Sequence, residues 1–182
     1  MEFESKAAAR AAARQAVKRL SVGFETETRS MMAAANFVST SLYKEAECLF
    51  VFMSKKNEIS TSALIEKAFA DKKEIAIPKT VGDNLDFYLL SPLKKIDEQV
   101  EKGCFDILEP CTFLEKIDQC HLPVQSVFVV PGLAFALDGT RLGYGRGFYD
   151  RYIDGTASSA SQLIVDLIPE SDSFQDQQKR AS

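Results

Sequence analysis

No apolar run in this chain approaches the roughly 18 residues that a membrane-spanning helix needs; the longest stretches are of the size of Val127 to Val130 and Cys48 to Met53. A soluble protein with no membrane partner is the expectation. An excess of positive charge is also missing, because 22 Lys and Arg face 26 Asp and Glu. Phosphate-backbone affinity rests on clustered cations, so no nucleic acid is expected as main partner, and any anion site must be local. Cysteines 48, 104, 111 and 120 form no CxxC pair and no zinc-ligand spacing, which leaves reduced structural thiols. Histidine occurs once, at His121 beside Cys120; a Cys–His nucleophile pair is normally assembled from distant positions, so this adjacency reads as a surface coincidence. The GxxxxGK[ST] of a Walker loop, the GxGxxG of a dinucleotide fold and any internal repeat are absent too.

What is present is a 46% hydrophobic chain of 182 residues, enough to bury one sizeable core. Residues 1–168 are expected to form a single domain. The stretch 169–182, rich in Asp, Gln and Ser, reads as a loose tail. The alanine-rich start predicts a helix from about Phe3 to Leu20 with Gly23 as its stop. Glu2 and Glu4 are out of place in an organellar leader, so this helix is expected in a mature cytoplasmic protein. A second helix is predicted over Glu25 to Leu42.

Cys48 to Met53 and Ser126 to Val130 are continuous apolar runs of the kind found in strands buried on both faces. Shorter strands are predicted at Glu74 to Pro78, Leu85 to Leu89 and Gln162 to Ile168, with a helix at Ser62 to Lys72 capped by Ser60 or Thr61. Pro92 is expected to open a short helix carrying Leu93, Ile96 and Val100 inward. Gly103 to Leu122, broken by Pro110, reads as an irregular connection. Strands alternating with helices predict an α/β fold, a three-layer αβα sandwich with a mainly parallel open sheet.

The chemistry is concentrated in Pro131 to Asp150, PGLAFALDGTRLGYGRGFYD, which holds five of the nine glycines together with Arg141 and Arg146. Alternating glycines at 143, 145 and 147 permit positive φ and close backbone approach, so successive amides can form a nest for phosphate oxygens. A helix beginning near Gly147 would add its N-terminal amides. The two guanidiniums suit phosphate, and Asp150 is a hard oxygen ligand one turn later. The alternative is a turn whose Arg and Asp make surface pairs, although Tyr144, Phe148 and Tyr149 beside the nest suit a flat heterocycle. Lys6 and Arg10 stand four apart on one helix face, either to act together on an anion or, with Arg14 and Lys18, as a solvated stripe. Glu58 lies in the polar loop leaving the first buried strand, where ligands meet an open α/β sheet; taken alone it also fits a solvated loop carboxylate.

VVPGLAFALDGTRLGYGRGFYDRYI closely resembles the signature of the 5-formyltetrahydrofolate cyclo-ligase family, also called methenyltetrahydrofolate synthetases. The resemblance extends to Lys6 through Arg10, to FMSKKNEIST around Glu58, and to EIAIPK with the following LDFYLL, so that roughly residues 6–168 read against the family. It implies ATP- and Mg²⁺-dependent closure of 5-formyltetrahydrofolate and its polyglutamates to 5,10-methenyltetrahydrofolate by a monomer. By matched position, Lys6 and Arg10 reach the ATP phosphates, and Arg141, Leu142, Gly143, Tyr144, Gly145, Arg146, Gly147, Phe148 and Tyr149 form the nucleotide loop. Asp150 binds Mg²⁺. Met53, Glu58, Tyr144 and Phe148 meet the folate, and Arg141, Arg146 and Glu58 make the catalytic set. This chain departs from the family pattern at Ala136, where an acid is usual, with Asp138 two residues later, and after Ile168, where Asp172 is not matched to a ligand position. Those departures motivate an alternative reading: a non-catalytic folate- or nucleotide-binding relative.

Overall fold

The computed structural model describes residues 5–20, 24–55, 58–135, 140–156 and 163–166. Ala136, Asp138, Gly23, Asp172 and the tail expected after residue 168 lie outside the described residues.

Helix α1 (Lys6–Leu20) is followed by α2 (Phe24–Ser39) and a short α3 (Ser41–Glu45). One helix was expected across the second span; Thr40 divides it. Its backbone is extended, and its Oγ1 accepts from the Tyr43 N–H at 3.2 Å while donating to the Phe37 carbonyl at 2.7 Å. A threonine that caps a new helix ends the old one.

Strand β1 (Cys48–Val51) leads through a loop to α4 (Ser62–Ala70) and β2 (Glu74–Val81). Antiparallel β3 (Asn84–Leu89) follows, then a small hairpin of β4 (Val100–Lys102) and β5 (Leu108–Pro110). The chain returns to the sheet in β6 (Ser126–Val130), forms the two-residue strands β7 (Ala134–Phe135) and β8 (Arg141–Leu142), and continues through α5 (Phe148–Asp154) to β9 (Leu163–Asp166). The main sheet runs β3-β2-β1-β6-β9 and is parallel throughout except at β3. Pro78 is accommodated because it lies beyond the residues that β1 pairs, Glu74 to Ala76.

Alternation along the buried strands splits the core in two. Leu49, Val51, Ile75, Ile77, Val127 and Val129 face α2 and α4, meeting Ala33, Phe37, Leu64 and Ile65. Phe50, Ala76, Phe87, Phe128 and Val130 face the other way and pack on Tyr152 of α5. Phe50 stacks on Phe128 with centroids 4.3 Å apart. A sheet covered on both faces is the expected αβα sandwich.

Two sequence expectations are corrected. Leu93 does not point inward from a helix; it is 93% exposed, and the only helical turn nearby among the described residues is 3-10, Ile96–Glu98. Ile96 and Val100 do pack against the core as expected, and the turn is further held by buried Gln99, whose amide nitrogen donates to the carbonyls of Ser91 and Lys94. Nor is Gly103 to Leu122 merely irregular, because it supplies β5. Lys79 fastens the hairpin to β2, donating to the Pro110 carbonyl at 3.0 Å and pairing with Glu101 at 2.9 Å, and the hydrogen bond to Glu101 raises the Lys79 pKa.

Candidate active site

The crossover β1-α4-β2 leaves β1 toward one edge with its helix on one face; β6-α5-β9 leaves β6 toward the opposite edge with its helix on the other. Neighbouring parallel strands whose connections diverge open a crevice at their carboxyl ends. A cavity of about 670 Å³ lies there, walled by Phe52 and Met53 after β1, Pro131 after β6, and Pro78 and Thr80 at the end of β2.

All the site residues read from sequence line this one cavity: Lys6 and Arg10 of α1, Met53 and Glu58 of the β1 loop, and the unbroken run from Arg141 to Asp150. The glycine loop is held from the α1 side. Arg10 Nε donates to the Gly143 carbonyl at 3.0 Å, and a guanidinium nitrogen of Arg14 reaches the Tyr144 carbonyl at 3.5 Å. A Cβ placed on Gly143 would sit 3.3 Å from an Arg141 nitrogen, so Arg10 and Arg141 converge on the same glycine. Gly145 at φ +102° and Gly147 at φ +66° occupy backbone that other residues rarely adopt, and Gly147 caps α5.

Arg141 also ties strand ends together, donating to the Pro131 carbonyl at 3.0 Å and pairing with Asp150. Arg141 is 16% exposed but Asp150 is 65% exposed. An ion pair half in water is worth about 0–1 kcal/mol, so the Asp150 carboxylate is readily given up to another cation.

Glu58 lines the same cavity. Its Oε2 accepts from the Lys55 N–H at 2.9 Å, closing the loop on itself, and its Oε1 accepts from the Tyr144 hydroxyl. Burial, then the Glu58 charge and this hydrogen bond, push the Tyr144 pKa above the usual tyrosine range. Tyr149 is raised likewise, chiefly by burial. Both phenols stay protonated at neutral pH, and Tyr144 is the donor to Glu58. The loop's far end is anchored by Thr61, whose hydroxyl donates to the Phe52 carbonyl at 2.8 Å.

Sequence reasoning missed the third wall. Phe105, Ile107 and Glu109 reach the cavity from the hairpin. Buried Glu109 accepts from the Thr80 N–H at 3.1 Å, and the contact demands glycine at 103, where a Cβ would fall 2.3 Å from the Glu109 side chain. Phe105 and Asp106 both take positive φ, 60° and 57°. That turn presents a half-exposed phenyl ring, with Lys55 Nζ 5.7 Å and the Arg146 guanidinium 5.5 Å from its centroid. Phe105, a large apolar residue in a polar stretch, was the available signal.

Cys120 and His121 lie on the surface, where His121 Nδ1 pairs with Asp118 at 2.8 Å. Among the described residues no group of three His, Cys, Asp or Glu could hold a metal ion alone. Asp150 nevertheless suits Mg²⁺ delivered with a phosphate ester, since that ion is commonly held by one or two carboxylates plus substrate phosphates.

An open α/β sheet whose switch-point crevice is lined by a glycine loop and by Arg10 and Arg141 defines an α/β protein with its candidate site at the strand ends. The chain belongs to the 5-formyltetrahydrofolate cyclo-ligase family, whose sequence profile matches residues 3–172. It is 34% identical over 118 residues to a probable 5-formyltetrahydrofolate cyclo-ligase of Schizosaccharomyces pombe, covering 63% of this chain and 54% of that protein. With the 5-formyltetrahydrofolate cyclo-ligase of Saccharomyces cerevisiae it shares 27% over 139 residues, 68% of this chain and 60% of the relative. The chain thus spans little more than half the length of these curated relatives. The solved structure of 5,10-methenyltetrahydrofolate synthetase from Aquifex aeolicus superposes with a TM-score of 0.66 at 26% identity, covering 87% of this chain and 77% of that one.

Proposed function

We propose that this protein closes 5-formyltetrahydrofolate to 5,10-methenyltetrahydrofolate at the expense of ATP, releasing ADP and phosphate. The observation that carries the reading is that one cavity joins cations and a carboxylate. Arg10 and Arg141 converge on the glycine loop, and a carboxylate held by a tyrosine of the same loop lines the same cavity.

Lys6, Arg10 and Arg141 hold the phosphates, with the backbone of Leu142 to Tyr149 around them, while Met53, Glu58, Tyr144 and Phe148 hold the folate. Glu58 faces the donor-rich pterin edge, and the protonated Tyr144 fixes its orientation. The formyl oxygen attacks the γ-phosphorus, the bond to ADP breaks, and an imidate phosphate forms. N10 then attacks the activated carbon and loses its proton as phosphate departs. Charge gathers on the phosphoryl oxygens, where preorganised guanidiniums and amides stabilise it. Mg²⁺, held by Asp150 when bound, would neutralise further phosphate charge. The cytoplasm is the proposed location.

Incubating the protein with Mg-ATP and 5-formyltetrahydrofolate is expected to raise near-ultraviolet methenyl absorbance and to release phosphate in equal amount. Binding of both ligands without product would instead favour the non-catalytic relative that Ala136 suggests.

A further inference from the structure

Arg151 of α5 stands behind the cavity rather than in its lining, and its guanidinium makes three contacts from outside. One nitrogen donates to the Arg146 carbonyl at 2.8 Å, the other donates to the Asp83 carbonyl, and the guanidinium carbon lies 5.5 Å from the centroid of the Phe148 ring. Asp83 belongs to the tight turn between β2 and β3, where Gly82 takes φ +60°. Thr80, just before that turn, lines the cavity. Arg151 therefore ties the glycine loop to the β2–β3 wall across 68 positions of sequence.

The Arg146 carbonyl matters through the peptide it belongs to. In a planar trans peptide the carbonyl and the following N–H point in opposite directions, and no cis bond occurs among the described residues. A carbonyl turned outward to Arg151 therefore turns the Gly147 N–H the other way, toward the cavity that Gly147 lines. Glycine at φ +66° leaves this peptide free to rotate unless something holds it. The hold is close by, since a Cβ on Gly147 would fall 3.1 Å from the same Arg151 nitrogen.

We propose that Arg151 is a positioning residue for the nucleotide: by fixing the Arg146–Gly147 peptide against the β2–β3 turn, it aims the Gly147 N–H at the bound phosphates without touching them. This rests on the ATP reading of the same cavity. A guanidinium is the group this place requires, because its planar fork serves two carbonyls at once, whereas a lysine ammonium is a point donor on a flexible stem. The contact to Asp83 gives the fork a fixed footing, so that the loop is set by the sheet rather than by its own glycines.

The test measures equilibrium binding of Mg-ATP and of 5-formyltetrahydrofolate by calorimetry in the wild type, Arg151→Met and Arg151→Lys, and follows the Gly147 amide by heteronuclear NMR. Mg-ATP is expected to shift the Gly147 amide signal in the wild type. Arg151→Met keeps the stem and removes both donors; losing an aimed hydrogen bond to a charged group is expected to weaken Mg-ATP by about ten- to a hundredfold and to abolish most of that shift. Folate affinity should change by less than about fivefold, the worth of an exposed cation–π contact such as the one to Phe148. Arg151→Lys, able to hold one carbonyl, should fall between. Mg-ATP affinity within about twofold of wild type in both variants, or a Gly147 signal that ignores Mg-ATP, overturns the role of Arg151 and leaves the proposed function standing. Parallel loss of both ligands with a lower melting temperature also overturns it, because general support of the fold would then suffice. Mg-ATP binding that follows Arg151 in a protein forming no methenyl product leaves the role standing and sinks the cyclo-ligase reading instead. A wild type that binds no Mg-ATP overturns both.

Discussion

Tyr144 donates its phenolic proton to Glu58 across 86 positions of sequence, at 2.5 Å. The contact joins the glycine loop to the loop after β1 and orients the carboxylate that faces the proposed pterin. Tyr144→Phe leaves that oxygen without its donor. A hydrogen bond to a charged group is worth about 1.5–3 kcal/mol, so KM for the folate is expected to rise by roughly tenfold or more. KM for Mg-ATP should change much less. A parallel rise in both constants would mean that the hydroxyl supports the whole loop rather than the folate end.

Arg141 and Asp150 belong to the phosphate end. Arg141→Ala and Asp150→Ala are each expected to lower turnover by about ten- to a thousandfold, the usual effect of removing a group that stabilises developing charge. Because Asp150 is largely exposed, its loss should cost under about 1 kcal/mol in denaturant unfolding. Steady-state rates near wild type in both variants would show that the phosphates bind elsewhere.

Gly103 is far from the glycine loop yet is required by the third wall. Gly103→Ala forces a methyl into the Glu109 side chain, and such overpacking costs typically about 1–3 kcal/mol. Lower thermal stability together with weakened folate binding is the expected pair of results. An unchanged melting temperature would mean that Glu109 moves aside freely.

The core facing α5 depends on Phe50, fully buried and stacked on Phe128. Phe50→Ala removes a ring and leaves a cavity, for about 3–5 kcal/mol. Chemical denaturation would measure it, and a loss below about 1 kcal/mol would contradict the packing described.

Burial raises the pKa values of Tyr149 and Tyr152 above the ordinary tyrosine value. The folded state therefore favours the neutral phenols, and the stability they contribute is complete below about pH 10, the unfolded value. It is lost as pH rises through the folded values. Ultraviolet titration should show these tyrosines ionising only with alkaline unfolding, and reversible ionisation near pH 10 in the native protein would be inconsistent with their burial.

The sequence by itself determined the two buried strands, because Cys48–Val51 and Val127–Val130 are apolar at every position, as strands covered on both faces are. It also determined the glycine loop, since crowded glycines beside arginines and aromatics suit few other purposes. The lysine and arginine four apart on α1 were visible as a pair, but a periodic basic face is equally suited to solvent. Only the tertiary structure placed that face, by laying Arg10 against the Gly143 carbonyl 133 positions away. The hairpin wall was beyond sequence reading for a related reason. Its strands have three residues each, too few to show a period, and they are held by Lys79 and Glu109 contacts to β2 rather than by a pattern of their own. Local chemistry is written in neighbouring residues; which cations meet which ring, and which carboxylate meets which hydroxyl, depends on where the sheet brings its strand ends together.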